Sequence, residues 1–151
     1  DAAGRLAALA VERAREQEAR RRAEERFRGL MDQAPFSVQV LSADGRTVQV
    51  NRAWEELWGL TPAHVADYNI LSDDQLERKG VLPHLRRAFA GEPAALPEIA
   101  YDPNESVPDR TRHADPVRWI SAVAYPIKDA GGGVREVAIV HEDITARRRA
   151  E

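Results

Sequence analysis

The chemistry open to this chain rests on four histidines, a glycine triplet and a loop of carboxylates, with no cysteine anywhere. The missing thiols exclude disulfides, zinc–thiolate sites and cysteine nucleophiles, and fit a reducing cytoplasm. Gly131-Gly132-Gly133 suggests a phosphate cradle. Such a cradle needs a strand before it and a helix N-terminus after it. Here the β-branched run Val134–Val140 follows, so the triplet reads as a hairpin turn. Asp102, Glu105, Asp109, His113 and Asp115 could be gathered around a metal, but irregular spacing and three prolines favour a solvated loop. No Ser/His/Asp set and no paired carboxylates stand at a useful spacing. A regulatory segment without catalytic machinery or metal is therefore expected. Two histidines stay open: His84, between Pro83 and Leu85, and His141, two residues before Asp143.

At 151 residues the chain is sized for one domain plus an appendage. Hydrophobic and charged fractions of 43% and 31% fit a globular protein carrying an exposed helix. The formal net charge of −3 gives no reason to expect nucleic acid or an anionic membrane as partner. No apolar run approaches the roughly 20 residues of a membrane span. Residue 1 is not a natural start, and no secretory signal is seen, so a cytoplasmic segment of a longer protein is expected.

From Arg5 to about Gln33 the chain has no Pro and reads as one helix, on the order of 40 Å long at about 1.5 Å per residue. Acid-before-base pairs such as Glu16/Arg20 and Glu18/Arg22 support it. Leu6, Leu9, Ala23, Phe27 and Leu30 fall on a loose heptad that Arg13, Glu16 and Arg20 interrupt. So polar a helix is either a solvated linker or half of a parallel coiled coil. Ala34-Pro35 ends it. Strands at Phe36–Leu41 and Thr47–Val50 flank the turn Ser42–Gly45, and Asn51 can cap a helix Arg52–Trp58 that Gly59 ends. Thr61-Pro62 and the capping box Ser72-Asp73-Asp74-Gln75 start further turns, and Leu82–Ala90 is an amphipathic helix. Strands return at Leu96–Tyr101, Val117–Ile127 and Val134–Glu142, with a polar loop Asp102–Pro116 between the first two. Hairpins at both ends with helices between them argue an α+β fold, an antiparallel sheet with helices on one face. After the last strand, Asp143-Ile144-Thr145 meets a charged helix that Thr145 can cap.

This order, with Val50-Asn51-Arg52-Ala53-Trp54, Trp58-Gly59-Leu60, Lys79–Pro83, Ala88–Glu92, Pro126–Asp129 and Asp143-Ile144-Thr145, resembles the PAS domains of bacterial multidomain sensor proteins. The resemblance covers about Phe27 to Ala146, and Ala2–Glu18 resembles the last helix of a GAF domain. It implies a five-stranded PAS sensor domain at 34–145, between a signalling helix at 1–33 and the start of another at 146–151. It further implies that a small ligand binds between sheet and helices and that the domain regulates an attached effector, such as the histidine kinase of a two-component system.

In flavin-binding relatives the position matching His141 faces the ligand. Alternation then puts Val137, Ile139 and His141 inside, with Ala138, Val140 and Glu142 outside. On the preceding strand Ile120, Ala122 and Ala124 face inward, and Trp119, Ser121, Val123 and Tyr125 outward. The expected ligand site is Gln39, Trp54, Trp58, Leu85, Phe89, Ala122, Ile139 and His141. A buried His141 needs a partner, either a ligand or an internal residue such as Gln39, and the structural alternative leads. His84 matches the region of the proximal His of haem-binding relatives, but no other haem signature accompanies it. Adduct-forming flavin chemistry is excluded, since light-sensing relatives form the adduct through a Cys. The cofactor stays unknown. Dimerisation is expected through Leu6, Leu9, Phe27 and Leu30 on the helix and Trp119, Val123, Tyr125 and Val140 on the outer sheet face, too apolar for water. That face awaits a cover, either the helix end near Met31 or a second copy. Asp143 and Thr145 are expected to relay the signal. The alternatives are a pure dimerisation module without ligand and a haem gas sensor.

Overall fold

The structure, a computed structural model, describes residues 1–107 and 115–151, so Asp109 and His113 of the loop's metal-ligand candidates lie outside the described residues. It divides into two units, Asp1–Gln33 and Ala34–Glu151. The first is a single helix, α1 (Ala2–Gln33). Glu18 pairs with Arg21 at 2.6 Å and Arg22 at 3.1 Å, and Arg21 reaches Glu25 at 2.5 Å. These exposed pairs add little stability each. Leu6, Leu9, Phe27 and Leu30 are exposed, at 68%, 57%, 49% and 67%. No helix among the described residues is long and apolar enough to cross a membrane.

The second unit is an α+β fold. Its strands β1 (Ser37–Ser42), β2 (Thr47–Val50), β3 (Ala94–Tyr101), β4 (Arg118–Lys128) and β5 (Val134–Asp143) form one antiparallel sheet in the order β2-β1-β5-β4-β3. Between β2 and β3 run α2 (Arg52–Trp58), 3-10 turns at Pro62–Val65 and Ile70–Ser72, α3 (Asp74–Arg78) and α4 (Leu82–Phe89). A one-turn helix, α5 (Pro103–Ser106), interrupts the stretch expected to be a plain loop, and α6 (Thr145–Ala150) leaves β5.

Caps and turns fix this chain path. The Asn51 carboxamide oxygen accepts from the amides of Trp54 at 3.0 Å and Val38 at 2.9 Å, and its nitrogen donates to the Phe36 carbonyl at 3.0 Å. One side chain thereby caps α2 and ties it to β1. Gly59 then ends α2 in the left-handed region, at φ 63°. The β4–β5 connection is a hairpin turn whose Asp129 carboxylate accepts from the amides of Gly131 and Gly133, at 2.9 and 3.0 Å. The α3 cap is Asp73 rather than Ser72: its carboxylate takes the Gln75 and Leu76 amides.

Alternation decides which strand residues meet the helices. Leu41, Ile120, Ala122, Ala124, Val137 and Ile139 join Trp54, Trp58, Leu76, Leu82, Leu85 and Ala88 in one core. Val123 and Tyr125, the odd residues of β4, stay 46% and 40% exposed.

Candidate functional site

A cavity of about 80 Å3 lies within this core. Its sheet wall comes from Gln39 of β1, Leu96 to Tyr101 of β3 in part, Ile120 and Ala122 of β4, and Ile139 and His141 of β5. Its helical wall comes from Trp54 and Trp58 of α2, Leu76 of α3 and Leu85 of α4, with Tyr68, Ile70 and Val81 from the connections. The small side chain of Ala122 on an inward position leaves the space that a larger residue would fill. At roughly 10–15 Å3 per water, the cavity holds about five to eight waters or a very small ligand. No Asp, Glu, Lys or Arg lines it.

The sheet and helices bring together Gln39, Trp54, Trp58, Leu85, Ala122, Ile139 and His141 around this space, but not Phe89. Phe89 is partly buried against the core and lies one helical turn beyond Leu85, about 6 Å further along the axis. That turn carries it past the cavity.

The polar wall groups His141 and Gln39 find separate partners rather than each other. His141 Nδ1 faces the Ser37 hydroxyl at 3.3 Å rather than Gln39. Ser37 pairs directly with His141 across β1 and β5, which explains the choice. The Gln39 oxygen accepts from the Trp54 indole at 3.3 Å, and its nitrogen donates to the Thr47 hydroxyl at 2.9 Å. The His141 ring packs edge-on to Trp58, with centroids 5.9 Å apart. Burial pushes the His141 pKa down to about 4, so the imidazole is neutral at pH 7.

A second polar cluster was not visible in the sequence. Asp73 is 5% exposed. Its Oδ2 accepts from the Tyr68 and Tyr101 hydroxyls, both at 2.6 Å. Its Oδ1 accepts from the Ser106 hydroxyl at 3.1 Å and from the amides of Gln75 at 2.9 Å and Leu76 at 3.2 Å. One carboxylate thus joins the connection at Tyr68, α3, β3 and α5. Burial, followed by the nearby Tyr101 for Tyr68 and by Asp73 for Tyr101, raises both phenol pKa values, keeping them protonated as donors. Gln75 extends the cluster: its nitrogen donates to the Asp102 carbonyl at 2.8 Å and its oxygen accepts the Asp102 amide at 2.9 Å. The phenols of Tyr68 and Tyr101 also line the cavity, so Asp73 fixes one of its walls.

The exit helix is held differently from the expected cap. Thr145 is the first residue of α6 and makes no cap bond. Its hydroxyl accepts from the Trp119 amide at 2.9 Å and donates to Asp143 Oδ1 at 2.5 Å, while the Thr145 amide donates to that same oxygen at 2.9 Å. The Ile144 amide donates to the Trp119 carbonyl at 2.9 Å. Thr145 is therefore a tie to β4, and Asp143 supplies the acceptor at the start of the helix. Arg118 approaches Asp143 at 3.9 Å. Further along α6, Arg147 and Arg148 pair with Glu98 of β3 at 2.8 and 3.1 Å. The Arg148 guanidinium also sits 4.3 Å above the Trp119 ring. Trp119, expected at a dimer surface, is thus engaged within the domain, and Val140 is half-buried.

A haem does not fit these residues. His84 on α4 is not among the cavity-lining residues, and the space is a fraction of the roughly 300 Å3 or more of a drug-sized pocket. The space is likewise too small for a flavin ring.

The chain matches the family described as PAS fold over residues 31–149. No curated protein sequence matches it. Among solved structures it is similar to a domain of the sensory box sensor histidine kinase/response regulator from Geobacter sulfurreducens, with 19% identity, TM-score 0.60, and coverage of 80% of this chain and 94% of that one. It is also similar to the PAS domain of an HTR-like protein from Haloarcula marismortui, with 15% identity, TM-score 0.58, and coverage of 87% and 99%. An RNA-binding light-oxygen-voltage receptor aligns with 21% identity and TM-score 0.62 over 83% of this chain, but the match spans only 33% of that receptor.

Proposed function

Since the chain belongs to the PAS family of signalling domains, we propose that it senses a small molecule in the cavity and relays occupancy through β4 and β5 to α6. The observation that carries this reading is one of register. Ile120, a cavity-lining residue, is the ladder partner of Asp143, and the cavity-lining pair Ala122–His141 lies two residues further along the same strands. A ligand that displaces β5 at His141 acts two residues from the Asp143–Thr145 tie. The exposed apolar residues of α1, and Val123 and Tyr125 on the sheet, support self-association as the setting in which the signal is read. The effector we assign is a histidine kinase, with this domain regulatory and cytoplasmic. Its fold is shared with the Geobacter sensor histidine kinase domain.

A module that only pairs copies of itself is favoured by one feature, the small size of the cavity. Denaturing extraction of the purified protein followed by mass spectrometry separates the two readings. A small compound should be released, at up to one molecule per chain, and should be missing from Ala122→Leu, whose longer side chain fills the space. Identical extracts from both proteins would favour the pairing module.

A further inference from the structure

Building on the ligand-site reading, we infer that the cavity takes a small neutral molecule with an apolar body and one hydrogen-bonding oxygen, of the ketone or alcohol class, seated against Trp58 and His141. Size sets the first limit. A space of about 80 Å3 is below the roughly 150 Å3 apolar cavity that accepts benzene, so the occupant is smaller than benzene.

Charge is the second. No Lys, Arg, Asp or Glu contributes to the wall. Burial keeps His141 neutral, with its pKa down at about 4, and keeps the Tyr68 and Tyr101 phenols protonated. Those phenols already donate to Asp73, which itself takes two further amides and a hydroxyl. An ionised carboxylate or ammonium would sit there desolvated and with no countercharge in the wall.

The wall also leaves hydrogen-bonding groups unsatisfied. Trp54 donates its indole N–H to Gln39, but Trp58, only 7% exposed, has no acceptor for its own among the described residues. A buried donor without a partner is the exception in folded proteins. His141 uses Nδ1 toward Ser37, which leaves Nε2 without a partner among the described residues. The two rings pack edge-on, with centroids 5.9 Å apart, and both residues line the cavity. A ketone oxygen accepts from the Trp58 N–H and from the Nε2–H tautomer of His141. An alcohol accepts from Trp58 and donates to Nε2.

Titration of residues 1–151 at pH 7.5 with 2-butanone, its near-isostere 2-methyl-1-butene, butyrate and butylammonium tests this, read by tryptophan fluorescence and thermal midpoint. The ketone should saturate in the millimolar range, with both ions at least tenfold weaker. Trp58→Phe, which keeps the ring and removes the N–H, should weaken the ketone at least fivefold and leave the alkene unchanged. His141→Met supplies the same comparison if Trp58→Phe does not fold. Equal binding of either ion, or equal weakening of ketone and alkene in the variants, overturns the ligand class and leaves the ligand site standing. Failure of all four probes overturns both.

Discussion

Asp73→Ala is expected to lower the unfolding free energy by about 3–5 kcal/mol, since each buried donor left unsatisfied costs about 1–3 kcal/mol and not all of the five can find water. The substitution leaves three hydroxyls and two amides without their shared acceptor. Against a typical total of about 5–15 kcal/mol this brings the domain close to unfolding. Tyr101→Phe removes one of the donors and should cost about 1.5–3 kcal/mol, since hydrogen bonds to charged groups exceed neutral ones. Urea unfolding followed by circular dichroism measures both. A change below about 1 kcal/mol for Asp73→Ala would mean that water replaces the carboxylate and that the cluster does not hold the cavity wall.

The second large effect is a loss of stability on acidification that His141 controls. Its folded pKa lies at about 4, below the ordinary value of 6.5, because burial disfavours the imidazolium. Between these values the unfolded chain binds a proton that the folded chain does not. Stability therefore rises with pH across this window, is fully present above about 6.5, and stops falling through this group below about 4. At about 1.4 kcal/mol per pKa unit the loss is roughly 3 kcal/mol. Carboxylates also titrate here, so the reading is a difference: unfolding free energies of the wild type and His141→Gln at pH 7.5, 6, 5 and 4. The wild type should lose roughly 2–3 kcal/mol more than the variant on the same descent. Parallel curves would place the His141 imidazole in contact with bulk water.

Local signals and strand alternation made most of the fold legible. Asn51 before a helix, Gly59 after it and Gly131–Gly133 between two β-branched runs are decided by neighbouring residues, and the structure uses them as caps and turn. Alternation placed Ala122, Ile139 and His141 on one side because a strand face depends only on parity. What failed needed three dimensions. The donors to Asp73 come from up to 33 residues away, and locally Asp73 looked like part of a capping box begun by Ser72. Phe89 belongs to the right helix at the wrong height, which periodicity does not resolve. The Thr145 hydroxyl has a cap within reach in the sequence, but a β4 amide 26 positions away takes it. The turn at α5 did carry a signal, Asp102 before Pro103, the pattern of a capped helix start.

If the cavity reports through the sheet, the most direct place to see it is the tie between β4 and α6. Amide hydrogen exchange, measured by NMR on the empty protein and with the cavity occupied by its co-purified ligand or 2-butanone, reads that tie at Trp119, Ile144 and Thr145. Occupancy should change protection of these three amides several-fold. In Thr145→Val, which lacks the hydroxyl joining Trp119 to Asp143, the response at Ile144 and the helix beyond should vanish while the response at His141 persists. Altered exchange around the cavity with unchanged exchange at Trp119, Ile144 and Thr145 would contradict the relay.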